Sequence, residues 1–280
     1  MLPRSLATSA SVLGLSALVL LGAGCGRADH SATGTGAPAA DHSPSAMVAR
    51  DGGTTAPRSA CDHPYYPLRT GYEIHYRSTF PAIGRVSSGS YSLKVTNSTS
   101  DSVTLAAIFD SSTPGQPPIT SEQIIDCSNG GLRARSYLDL GSRVTGAGAS
   151  NRFNVITRNS SGEMLPQDLH VGSEWHGAFD VTMQAATSTA MPTVAPDSPL
   201  ARPMDLSVSV TRRAIAEETV RVPAGEYQAL KVSATTNLGL GTPITGTEWW
   251  VRGVGMVKST YDLGSGSENI VTEATSVNVP

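Results

Sequence analysis

The sequence predicts an all-β, mostly antiparallel fold: a strongly curved sheet or half-open barrel, with a hint of two similar halves. Three observations carry this. From residue 61 onward apolar and polar residues alternate with period two, the spacing that turns one face of a strand to a core and the other to water. Clusters of Gly, Asn and Pro interrupt the alternation at hairpin spacing. No stretch combines good helix formers with a 3.6-residue period. Charged residues are only 15% of the chain, below the roughly 25% of an average soluble domain. The net charge of −3, without a dense cationic run, excludes a nucleic-acid surface, which needs a basic field.

Each strand follows from its pattern. Tyr72, Ile74 and Tyr76 alternate with Glu73, His75 and Arg77; Tyr91, Leu93 and Val95 alternate with Ser92, Lys94 and Thr96; Val103, Leu105, Ala107 and Phe109 make the third. Further strands are expected near 121–127, 132–140, 151–158, 173–184, 205–222, 226–236, 245–252, 255–263 and 268–279. Turn chemistry separates them at Asn129-Gly130-Gly131, Ser160-Ser161-Gly162, Pro223-Ala224-Gly225, Gly253-Val254-Gly255 and Gly264-Ser265-Gly266. Two Pro-rich loops, 111–119 and 185–203, break the rhythm; the second is either functional or the seam between two halves. Gly71-Tyr72-Glu73-Ile74-His75 is echoed by Gly172-Ser173-Glu174-Trp175-His176 and, in part, by Gly246-Thr247-Glu248-Trp249. The echo is short, and convergent strand-opening chemistry explains it better than duplication.

The first 60 residues have a different character. Arg4 precedes an apolar run over residues 12–21, shorter than the ~20 residues that span a bilayer. The run ends in Leu21-Gly22-Ala23-Gly24-Cys25, which resembles a bacterial lipoprotein lipobox, except that Gly22 occupies the place usual for Leu. The resemblance implies a signal peptide over 1–24, a diacylglyceryl group on Cys25, and a bacterial cell-envelope protein lipid-anchored to its membrane. An ordinary cleaved signal with a chance Cys is the alternative. Residues 26–60 are mostly Ala, Ser, Thr, Gly, Pro and Asp, with Met47 and Val48 the only large apolar side chains. Such a stretch cannot bury enough surface to offset chain entropy and reads as a disordered tether for a β domain over 61–280. Once Cys25 is lipidated, Cys61 and Cys127 remain, an even number in an oxidising compartment. They are expected to form one disulfide, two buried thiols being the alternative.

Two segments resemble a family. Val220-Arg221-Val222-Pro223-Ala224-Gly225-Glu226-Tyr227 and Glu248-Trp249-Trp250-Val251-Arg252-Gly253-Val254-Gly255-Met256-Val257-Lys258 are similar to paired hairpins of uncharacterised bacterial envelope lipoproteins. Tyr65-Tyr66-Pro67-Leu68-Arg69-Thr70-Gly71 is similar to their opening, with Ile74 in place of a Trp. The resemblance implies shape and address but no activity, so no catalytic residue carries over. Trp249 and Trp250 face opposite ways on their strand: one belongs in the core, the other is covered or offered as a contact residue.

The sharpest chemical reading pairs Glu73 with His75 and Glu174 with His176. Residues i and i+2 of a strand share a face, so each pair could offer two ligands to one metal if the pairs met. Solvated strand faces are the plainer reading. Gly-x-Ser-x-Gly, His-Glu-x-x-His and phosphate-loop motifs are absent from the sequence. Glu217 and Glu218 are adjacent and point apart; Asp139 and Asp180 are lone strand acids. The expectation is a non-enzymatic envelope protein without a cofactor, bound to the membrane by its anchor and acting as a ligand-binding module or a structural and assembly factor. Its partner would be an acyl chain or other apolar ligand, or another envelope protein. A hydrolase or metal-dependent enzyme at Glu73, His75, Glu174 and His176 is the alternative.

Overall fold

A computed structural model describes residues 61–82, 85–110, 118–127, 130–136, 153–185, 203–239, 241–262 and 269–280. Cys25, the tether, Asp139, and residues 111–117 and 186–202 lie outside the described residues. Among the described residues every regular element is a strand. A short hairpin joins β1 (Asp62–His63) to β2 (Tyr66–Pro67). Twelve further strands make one antiparallel sheet: β3 (Glu73–Ala82), β4 (Arg85–Ser98), β5 (Ser102–Phe109), β6 (Ile119–Asp126), β7 (Arg133–Ala134), β8 (Phe153–Gly162), β9 (Glu174–Ala185), β10 (Met204–Val222), β11 (Gly225–Asn237), β12 (Ile244–Val251), β13 (Gly255–Asp262) and β14 (Ile270–Asn278). Their order is β7-β6-β5-β4-β3-β14-β13-β12-β11-β10-β9-β8. The sheet is thus a meander whose last strand folds back beside β3, and it curls until its edges nearly meet.

One seam, between β7 and β8, stays unsealed. A single bridge, Leu132 to Leu165, stitches its lower end: Leu132 N–H donates to Leu165 O at 2.8 Å, and Met164 N–H to Leu132 O at 2.7 Å. The Arg133 guanidinium adds a bond to Ser160 O.

That same end of the barrel is closed from within. Residues 61–72 cross it as a plug, tied down by the Cys61–Cys127 disulfide, whose Cα atoms lie 4.9 Å apart. Gly253 N–H donates to Pro64 O at 2.7 Å, fixing the plug to the β12–β13 turn. Tyr66 packs edge-on against both Tyr72 and Trp250. The β10–β11 tip folds inward as well, where Ala224 N–H donates to Ala274 O at 3.0 Å. Ala274 sits beside a bulge in β14, which frees its carbonyl from the regular ladder. The main apolar core, including Leu68, Ile74, Ile125, Leu230, Val257 and Trp250, fills this closed end. A smaller cluster of Val181, Leu206, Val208, Leu238 and Ile244 lines the wall toward the opposite end.

Expected and observed strands agree closely, with three differences. The predicted turn at Ser160-Ser161-Gly162 is instead the end of β8. Gly162 there has φ +76°, and a Cβ on it would fall 2.1 Å from His176 O, so the glycine marks a close strand approach rather than a turn. The β1–β2 hairpin was not expected, because Pro64 and Pro67 break the alternation that signals strands. β9 and β10, which flank the loop, pair from Met204–Met183 to Arg213–Glu174, and 186–202 lie outside the described residues. Of the strand expected over 132–140, β7 occupies Arg133–Ala134, and 137–140 lie outside the described residues.

Candidate functional site

The sequence-predicted ligand pairs stay apart. Glu73 and His75 sit on the outer face of β3, with His75 Nε2 3.4 Å from Glu73 Oε1. Glu174 and His176 are exposed on β9, and β14, β13, β12, β11 and β10 lie between the two strands in the sheet. No group of three His, Cys, Asp or Glu side chains that could hold a metal occurs among the described residues. Asp180 accepts a bond from the Ser207 hydroxyl at 2.9 Å.

The two tryptophans divide as their alternation requires. Trp250 is core; Trp249 lies on the outer face between the Lys231 and Lys258 ammonium groups, 5.7 and 5.8 Å from its ring centre. Its indole N–H donates to Glu218 at 2.7 Å, Lys231 reaches Glu218 at 3.2 Å, and Lys258 reaches Glu273 at 2.7 Å. The indole bond, followed by Lys231, holds the Glu218 carboxyl below its ordinary pKa. This is a charge ladder across five strands that covers the indole.

The inner wall holds what the sequence did not reveal. Strand register places Gly89, Ser78, Thr272, Ser259, Glu248, Val232 and Ala214 in one row across β4, β3, β14, β13, β12, β11 and β10. Ser78, Thr272, Ser259 and Glu248 are all buried, Glu248 with 2% of its surface exposed. The Ser78 and Thr272 hydroxyls bond each other at 2.7 Å. The Ser259 hydroxyl makes no hydrogen bond among the described residues.

Glu248 is the charged member of the row. Arg212 Nε donates to its two oxygens at 3.0 and 3.2 Å, and Trp250 Nε1 donates at 2.9 Å. The Tyr261 hydroxyl donates a further bond. Burial works to raise the Glu248 pKa, but the Arg212 charge and these donors outweigh it and hold the carboxyl below its ordinary range. Small neighbours make the geometry possible. Arg212 is paired with Ala234, so its side chain can reach past β11. Gly246 faces Tyr261, whose ring would lie 2.4 Å from a Cβ there.

The signal for this row was present but inverted. In the first two echoes the Glu points outward and its successor inward: Ile74 and Trp175 are core. In the third, Glu248 points inward and Trp249 outward. A one-residue change of facing separates identical-looking strings.

A second feature lies at the closed end. A shallow cleft of about 250 Å³ is lined by Pro64, Tyr65, Gln167, Asp168, Leu169, His170 and Arg252. Arg252 stacks over the Tyr65 ring at 4.8 Å. Ser173 Oγ lies 3.1 Å from His170 Nδ1, but it also accepts the His170 N–H at 3.0 Å and faces the Asp168 carbonyl rather than its carboxylate. The arrangement closes a loop and does not make a triad.

No curated protein matches the chain. The fold is similar to two crystal structures. One is described as an exported protein with a YmcC-like fold from Bacteroides fragilis, at 13% identity over 75% of this chain and 97% of that one, TM-score 0.47. The other is described as a lipoprotein from Parabacteroides distasonis, at 15% identity over 76% and 97%, TM-score 0.43. The sequence model of the DUF3108-like family matches residues 90–265, from within β4 to beyond β13 and therefore through both signature hairpins; the chain belongs to the DUF3108-like family.

Proposed function

We propose that this chain is an exported bacterial envelope protein, lipid-anchored at Cys25, whose half-open barrel binds an apolar or amphiphilic molecule and catalyses no reaction. The observation that carries the reading is the inner wall: a row of buried polar side chains, one hydroxyl of it without a partner among the described residues, beside an apolar wall. A plug and disulfide close one end of the barrel. Eight strands enclose about as much interior as side chains can fill, and twelve enclose more. The anchor rests on the lipobox-like Leu21–Cys25 and the tether on the composition of 26–60.

Native mass spectrometry of the full chain extracted gently from membranes tests the binding. The expected spectrum shows the acylated protein plus an adduct that organic solvent removes; the acylated mass alone, under conditions that keep other lipid carriers loaded, overturns it. Cys25→Ala should move the protein from the membrane to the soluble fraction; retention in the membrane would refute the anchor. A second reading, docking of another envelope protein, is favoured by the seam. Ile156 is exposed on β8, which flanks it, and Ile124 on β6, one strand in from β7 on the other side. Crosslinking from these two positions that captures no envelope protein would remove that reading.

A further inference from the structure

The cleft at the closed end is walled by three elements that are pinned to one another. His63 in the plug donates from Nε2 to Pro166 O at 2.8 Å, which holds the plug to the β8–β9 loop. Gly253 N–H donates to Pro64 O at 2.7 Å, which holds it to the β12–β13 turn. Within the β8–β9 loop, Leu169 is buried in the core and so anchors its neighbours Asp168 and His170. The space between these walls is about 250 Å³, below the roughly 300–1,000 Å³ of sites for drug-sized molecules. Walls fixed in advance lower the ordering cost of binding, and a space of this size suits a small polar ligand.

The polar groups lining the cleft are of both signs, and the fold leaves them over. Arg252 sits above the Tyr65 ring, its guanidinium carbon 4.8 Å from the ring centre. That contact uses none of the five N–H donors of the guanidinium, which make no hydrogen bond or ion pair among the described residues. Acceptors line the same cleft. The Asp168 carbonyl takes the Ser173 hydroxyl at 3.3 Å and the His170 ring at 3.2 Å, but the Asp168 carboxylate makes no bond among the described residues. A carbonyl only accepts, so His170 reaches it through Nδ1–H, and the neutral ring keeps Nε2 as a further acceptor. Arg252 alone would take any anion; the Asp168 carboxylate in the same small space opposes a purely anionic ligand and calls for a cationic donor beside the anion.

We propose that this cleft binds a small zwitterion, a free α-amino acid or a short peptide, with its carboxylate on the Arg252 fork and its ammonium on the Asp168 carboxylate and His170 Nε2. The site lies outside the barrel interior and is independent of the apolar-ligand reading.

The test titrates the full chain in nanodiscs by calorimetry, with empty nanodiscs as the background. The probes are glycine and glycylglycine, which carry no handedness, and the N-acetylated and C-amidated forms of each. The tighter-binding parent identifies amino acid or peptide, and it should bind about ten-fold more tightly than either of its blocked forms. Asp168→Asn should abolish the preference over the N-acetylated form and keep the preference over the amide. Arg252→Gln should do the converse. A merely structural role for either residue would move all the probes together. If a variant does not fold, the ranking with the unaltered chain decides alone. Binding of neither parent above background, or of a blocked form as tightly as its parent, overturns the proposal and leaves the apolar-ligand reading of the barrel untouched.

Discussion

Arg212 and Glu248 show how strongly one buried pair can constrain a sheet. The carboxylate accepts from Arg212, Trp250 and Tyr261, so three strands report to a single side chain. Replacing one partner alone leaves the other charge buried. Arg212→Met should therefore cost about 3–5 kcal/mol of stability, whereas the double change Arg212→Met with Glu248→Leu should recover most of it. Urea denaturation of the three proteins checks this, and equal losses in single and double variants would contradict it. Tyr72 carries the opposite lesson. Its hydroxyl is buried without a hydrogen-bond partner, against the Gly255 backbone, where a Cβ would lie 2.6 Å away. Tyr72→Phe removes that unpaired group and should be neutral or raise stability by up to about 1 kcal/mol. A loss of that size would show that the hydroxyl is satisfied by water.

At the scale of elements, the plug is the segment most exposed to conditions. Tyr65 N–H donates to His63 Nδ1 at 3.1 Å, so the neutral ring carries its hydrogen on Nε2 and donates to Pro166 O at 2.8 Å. Burial lowers the His63 pKa from 6.5; the bond to Pro166 and nearby Glu163 oppose this, while Arg252 adds to it. The unfolded chain therefore takes up this proton more readily than the folded one. Stability from His63 is in place above pH 6.5 and is lost as pH falls below it toward the folded value. Urea midpoints measured between about pH 7.5 and 5 should fall with acid, and less steeply in His63→Asn, which keeps an acceptor near Nδ1. The strands themselves were legible, because β10 to β13 alternate cleanly and end at Pro223, Gly225, Gly253 and Gly255. The facing of Glu248 was not. Alternation states that Glu248 and Trp249 point apart, but only the pairing of β12 with β11 and β13 decides which of them points inward.

For the whole molecule, curvature and strand order lay beyond the sequence. A meander of hairpins can be read from turn residues, but the β14–β3 pairing joins segments nearly 200 residues apart, and no local signal encodes it. The disulfide was anticipated from cysteine parity, and the structure adds what it does: it ties the plug to the end of β6, beside the stitched base of the seam. On the loop-entropy relation its 66-residue span is worth about 4 kcal/mol. Reduction should lower the denaturation midpoint accordingly and make Arg69, in the plug, an early tryptic site; an unchanged digest would argue against this coupling. The place of β14 between β3 and β13 has a consequence in time. The first and last strands of the sheet in chain order, β3 and β14, are each other's neighbours, so the sheet cannot be completed while the ribosome still holds β14. Contacts of such long range form slowly. The polypeptide should therefore remain loose throughout synthesis, the condition in which a chain can be threaded through a membrane pore. Removing residues 270–280 should leave β3 and β13 as raw edges, and a truncated protein as resistant to protease as the full chain would refute that order of events.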